Sequence, residues 1–165
     1  MDFKFKNVTR GVALGSLKAG DMFTVIEQGA SCGMEMVVSG CGDKVLIFNF
    51  EMKKMLLMDK VTPVMRYRTE TELKGFSAPI HLSDVEAGDS IVFPHKKDVY
   101  ILLEIHDNNT VSLFNTETNT TEDFEYEEWG SIKKMNVSLW LTPVDGPDHN
   151  NGSIHDGNRK PNDNK

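Results

Sequence analysis

Cysteine is scarce in this 165-residue chain: Cys32 and Cys41 are the only two. A disulfide-held scaffold needs at least two pairs at recognisable spacings, so none is expected. No stretch approaches the roughly 20 apolar residues of a membrane-spanning helix. The opening segment, MDFKFKNVTRGVALGSLKAG, lacks the continuous apolar run of a secretion signal. These absences point to a reduced, cytoplasmic protein. The Asn-x-Ser/Thr triplets at Asn7, Asn108, Asn119, Asn136 and Asn151 then read as chance matches. Positive charge is also in deficit, with 18 Lys and Arg against 25 Asp and Glu and a net charge of −7. That balance disfavours non-specific attachment to a phosphate backbone.

Motifs of catalysis are missing as well. Cys32 and Cys41 lie nine apart among glycines, with no Cys-x-x-Cys pair, so a zinc site is not expected and both should be buried or half-buried free thiols. His81, His95 and His106 are scattered, and His149 and His155 fall near the C-terminus. There is no Gly-x-Ser-x-Gly elbow, phosphate-cradling glycine loop or metalloprotease helix. Carboxylate pairs are too common on an acidic chain to mean anything. The expectation is a non-enzyme without cofactor or metal.

What the chain does contain is a repetition. Leu17-Lys18-Ala19-Gly20-Asp21 and Val85-Glu86-Ala87-Gly88-Asp89 share an apolar residue, then Ala-Gly-Asp, then a strand-like run, MFTVIE or SIVF. MEMVVSG from Met34 answers to YILLEIH from Tyr100. VLIFNFE from Val45 matches VSLFNTE from Val111, with Phe48/Phe114, Asn49/Asn115 and Glu51/Glu117 in common. Order and gaps agree, so a duplicated unit is expected. Glycine turns the backbone without steric cost, and aspartate can bind backbone N–H groups beside it, which suits a turn leading into a strand.

Short runs separated by Gly, Asn, Asp and Thr predict an all-β fold of two tandem, small antiparallel barrels packed together. The first unit spans 1–68, a linker 69–78, the second unit 79–144 and a disordered tail 145–165. The tail, from Asp145, is rich in Asn, Asp, Gly and Pro and offers nothing to bury. Units of about 55–65 residues are marginal alone, so the two should pack on each other. The run EMKKMLLMDK at 51–60 has some helical spacing, but its counterpart ETNTTEDFEY suits a turn and strand, so a hairpin is expected in both.

Apolar-x-Ala-Gly-Asp, a strand, a YxLL run, a VxLxN run and a final apolar strand resemble small SH3-like barrels. The pattern is also similar to the short β-rich proteins that bacteriophages encode. The likeness covers roughly Leu14 to Leu141 and implies no catalytic residues. Barrels of this kind serve protein and nucleic-acid binding alike.

Charge is unevenly spread. Residues 1–78 carry eleven Lys/Arg against nine Asp/Glu, whereas 79–144 carry four against twelve. The acids concentrate in the run Glu122, Asp123, Phe124, Glu125, Tyr126, Glu127, Glu128 and Trp129, where five carboxylates interleave with three aromatic rings. Alternation along a strand would put Phe124 and Tyr126 on one face and Asp123, Glu125 and Glu127 on the other. Such a strand is either a solvated edge kept from unwanted pairing by its charge, or an acidic face with aromatic anchors for a partner protein that is basic or itself binds nucleic acid. The first unit instead holds every methionine but Met135, and the seven beyond Met1 are expected to fill its core. The expected function is non-enzymatic protein binding, by a phage protein acting on a host or viral partner. Alternatives are nucleic-acid binding through Lys4, Lys6, Arg10, Lys53, Lys54, Arg66 and Arg68 with Phe3 and Phe5 stacking, or a structural role in the virion.

Overall fold

Val45-Leu46-Ile47-Phe48 and Val111-Ser112-Leu113-Phe114 place branched and aromatic side chains where strands favour them, and both runs are strands. The computed structural model describes residues 11–27, 30–31, 33–77, 81, 84–93, 96–106, 110–125 and 132–144. The first half of the chain contains β1 (Val12–Ala13), a 3-10 turn (Leu14–Ser16), β2 (Met22–Glu27), β3 (Ala30–Ser31), β4 (Glu35–Cys41), β5 (Lys44–Asn49), β6 (Lys54–Asp59) and β7 (Pro63–Phe76). The second contains β8 (Ser90–Val92), β9 (Val99–Ile105), β10 (Thr110–Asn115), β11 (Thr120–Glu125) and β12 (Lys133–Val144). All described pairings are antiparallel, and no helix among the described residues is long and apolar enough to cross a membrane.

The strands join in the order β11-β10-β9-β8-β12-β7-β2-β4-β5-β6, with β1 on β7 and β3 on β2. This order is the same read from either end: in each half a four-strand meander is followed by a fifth strand that returns to the first. The fifth strands, β7 and β12, are long, and they pair with each other from Arg66/Val144 to Phe76/Met135. The fold is thus all-β, as the sequence predicts, but the expected closure of each unit into a barrel is not seen among the described residues. β6 and β11 end the path, while β7 and β12 extend beyond their own units to form a shared ribbon. Residues 69–76, expected within a linker, belong to that ribbon. The 51–60 hairpin forms as expected, a turn leading into β6. The expected tail at 145–165 lies outside the described residues.

Each half repeats the other at the level of single bonds. Gly20 and Gly88 have φ of +90° and +95°, a region L residues rarely enter. Gly20 N–H donates to Val37 O and Gly88 N–H to Leu102 O, while the Asp21 and Asp89 carbonyls accept from the same two residues. The Asp21 and Asp89 carboxylates each accept the backbone N–H three residues earlier, both at 2.9 Å. After the third strand, the side-chain carbonyls of Asn49 and Asn115 hold the next turn, and Lys53 and Asn119 both leave it at positive φ.

A bulge then divides the core. In β4 the register skips Val38 and in β9 it skips Leu103. An extra residue lets two neighbours on one strand both turn inward. Val37 enters the core of the first half with Leu14, Phe23, Val45, Ile47 and Val64, and Leu102 enters that of the second with Ile91, Tyr100, Val111, Leu113 and Ile132. Val38 and Leu103 enter a third cluster that belongs to both halves, with Met22, Met36, Phe48 and Phe114. The methionines only partly meet expectation: Met22 and Met36 are buried, but Met52 is exposed. Cys41 corrects another expectation. It ends β4 at a hairpin tip, where Gly42 turns the chain at φ +62°, and its thiol is free and exposed; Cys32 lies outside the described residues.

Candidate functional site

Among the described residues β11 is held by β10 on one edge only, with Val111 opposite Phe124, Ser112 opposite Asp123 and Asn115 opposite Thr120. The alternation predicted from sequence is present: Glu122 and Phe124 are half-buried, and Asp123 and Glu125 are exposed. Tyr126, Glu127, Glu128 and Trp129 lie outside the described residues. Phe124 is therefore no outward anchor. Its ring lies 5.4 Å from that of Phe93 and 5.6 Å from that of Tyr100, and the Lys96 ammonium sits 4.2 Å above it. A cation over an aromatic face is attracted by the ring quadrupole, so Lys96 covers Phe124 from solvent.

The acids are braced by neutral donors. Asn115, 1% exposed, directs its amide nitrogen towards Glu122 at 3.1 Å, Asp98 at 3.0 Å and the Tyr100 hydroxyl at 3.4 Å. Burial, and then the Glu122 and Asp98 carboxylates, hold the Tyr100 hydroxyl above its ordinary pKa. On the other face Ser112 donates to Asp123 at 2.6 Å and lies 2.8 Å from His106 Nε2. Because the single serine proton goes to Asp123, His106 Nε2 must be the donor to Ser112. A nucleophilic serine needs the reverse, a histidine that accepts the serine proton and is oriented by the carboxylate. The trio orients Asp123 rather than activating Ser112. Among the described residues none of Glu122, Asp123 and Glu125 is paired with Lys or Arg.

The site residues that sequence reasoning missed are Asp98, His106, Ser112 and Asn115. Only strand register brings them beside β11, and spacing along the chain carries no sign of it.

The basic residues considered for phosphate contact do not converge. Lys4, Lys6, Arg10, Phe3 and Phe5 lie outside the described residues. Lys53 is ion-paired with Glu86 and flanks a groove of about 320 Å³ with Lys54, Leu103 and Ile105. Arg66 faces Asp21 at 3.6 Å, and with Arg68 it lines a separate cleft of about 350 Å³. Among the described residues no cluster of three His, Cys, Asp or Glu side chains is placed to hold a metal ion. No family model, curated protein or solved structure matches the chain.

Proposed function

We propose that the chain is a non-enzymatic protein-binding module whose acidic β11 edge receives an extended, basic segment of a partner protein. The observation that carries this reading is a difference between two otherwise equivalent strands. β6 and β11 both follow a matching turn and both end the strand order. Where β6 has Leu56, Leu57 and Asp59, β11 has Glu122, Asp123 and Glu125. The framework thus tolerates leucine at the first two places, so Glu122 and Asp123 are a property of β11 alone, whereas an acid at the third place is common to both strands. An extended segment adding to the edge would gain backbone hydrogen bonds, and lysine or arginine in alternate positions would meet Asp123 and Glu125. Carboxylates already fixed by Ser112 and Asn115 lose little freedom on pairing.

The sequence likeness to phage-encoded barrels makes a host or viral protein in the cytoplasm the natural partner. The test is an NMR titration of the full chain with a peptide alternating lysine and valine. Amide shifts should concentrate at 120–125, weaken with salt, and fall at least about tenfold in affinity for Glu125→Lys. Shifts elsewhere, or binding indifferent to Glu125→Lys, would refute the reading.

A further inference from the structure

We propose that the outer edge of β12 is an interface between two copies of this chain, paired as antiparallel strands about a two-fold axis at Trp140. β12 pairs with β7 along one edge, and on the other it meets β8 only at Lys133 and Lys134. From Asn136 to Val144 that outer edge has no strand partner among the described residues. Among the described residues nothing covers the ribbon at Trp140 or Leu141, which lie on its two faces. Trp140 is 64% exposed and its neighbour Leu141, pointing to the opposite face, is 37% exposed. A ribbon of two strands is only marginally stable in water, so a third strand would stabilise this one.

The two strands of the ribbon differ in how they meet solvent. β7 carries Arg68, Glu70, Glu72 and Lys74, all exposed, and charge of this kind keeps an edge from pairing. β12 has no charged residue from Met135 to Val144. Proteins rarely leave an uncharged edge of this length open.

The pattern of the edge selects its occupant. With Trp140 on the two-fold axis, Leu139 stands opposite Leu141 of the second copy, Ser138 opposite Thr142 and Val137 opposite Pro143. The sequence across the axis, Val-Ser-Leu-Trp-Leu-Thr-Pro, thus places apolar types at register positions opposite apolar types and hydroxyl types opposite each other, combinations that favour strand pairing. Proline has no N–H to offer a ladder, so Pro143 falls at its end rather than its middle. The symmetry closes the assembly at two copies. Residues 1–10 of the same chain are a poorer occupant, since Lys4, Lys6 and Arg10 would find no acid on this edge. The indole N–H of Trp140 donates weakly to Glu72 at 3.4 Å, which steadies the ring across the ribbon.

Sedimentation equilibrium of the full chain at about 10–100 μM tests the proposal. The wild-type chain should have twice the monomer mass. Trp140→Lys, which sets two ammonium groups face to face on the axis, should be monomeric, and so should Trp140→Glu. An equimolar mixture of the two should regain the doubled mass, because opposite charges then meet. Lys74→Glu, on the other strand and without a contact to Trp140, should leave the dimer intact. Trp140 is exposed, and unchanged amide dispersion in the NMR spectrum would show that its variants remain folded. A monomeric wild type overturns the proposal, including one whose β12 amides are protected only while residues 1–10 are present. So does a Trp140→Lys chain that still dimerises.

Discussion

Gly20 lies over the ring of Phe114: a Cβ on that glycine would stand 3.7 Å from Cζ of Phe114. The relationship is reciprocal, since a Cβ on Gly88 would stand 3.5 Å from Cε1 of Phe48. Each half therefore uses its Ala-Gly-Asp turn to cover the phenylalanine of the other. The turn both leads a strand and seals the shared cluster.

Substituting these glycines should reveal both jobs. Gly20→Val and Gly88→Val should each destabilise the fold by about 1–3 kcal/mol, because a branched side chain is strained at positive φ. Gly20→Val should be the worse of the two. Its Cβ would also come within 2.4 Å of the Asn119 side-chain oxygen, whereas at Gly88 the nearest atom is an ordinary contact away. Urea denaturation of the two variants measures the difference, and Asn119→Gly should narrow it.

The aspartates beside those glycines carry a second matched interaction. Asp21 faces Arg66 at 3.6 Å, and Asp89 pairs with Lys134 at 2.8 Å, each cation lying on the fifth strand of its own half. Asp89→Ala loses the turn bond to the Glu86 N–H, about 1 kcal/mol, and the pair with Lys134, at most about 1 kcal/mol at this exposure. Asp89→Asn retains an oxygen for the turn and should recover most of the loss. The same ranking is expected at Asp21, by thermal or urea unfolding.

Stability should fall in alkali through Tyr100. Burial raises the pKa of its hydroxyl above the ordinary value of 10.0, so the folded state holds this proton more tightly than the unfolded chain. The resulting stabilisation is complete below the ordinary value and disappears as pH rises through the raised one. Urea unfolding across that range should show the decline in the wild type and a shallower one in Tyr100→Phe.

Much of this arrangement is legible in the sequence, where it is local. The Ala-Gly-Asp turns, the Val-x-(Ile/Leu)-Phe-Asn strands and the alternation through Phe124 follow from residues within a few positions of one another. The bulges at Val38 and Leu103 are not legible, because they show only when β4 and β9 are set against their neighbours. The ribbon escaped for a related reason. Residues 69–76 read as part of a polar linker because Thr-Glu-Thr-Glu-Leu-Lys-Gly-Phe shows no apolar alternation. Their partner, β12, lies more than 60 residues away for most of the ladder. The braces around Asp123 and Glu122 were hidden likewise, since His106, Ser112 and Asn115 meet them only across strands.

The shared cluster makes the two halves one cooperative body, and hydrogen exchange of Phe114→Ala tests this most directly. Removing a ring that is 1% exposed should cost about 3–5 kcal/mol. Because Phe114 packs with Phe48, Met22 and Met36 of the first half, the amides of β5 should lose protection as much as those of β10, by about 100-fold or more. Loss confined to β9, β10 and β11, with β5 as protected as in the wild type, would contradict a common core.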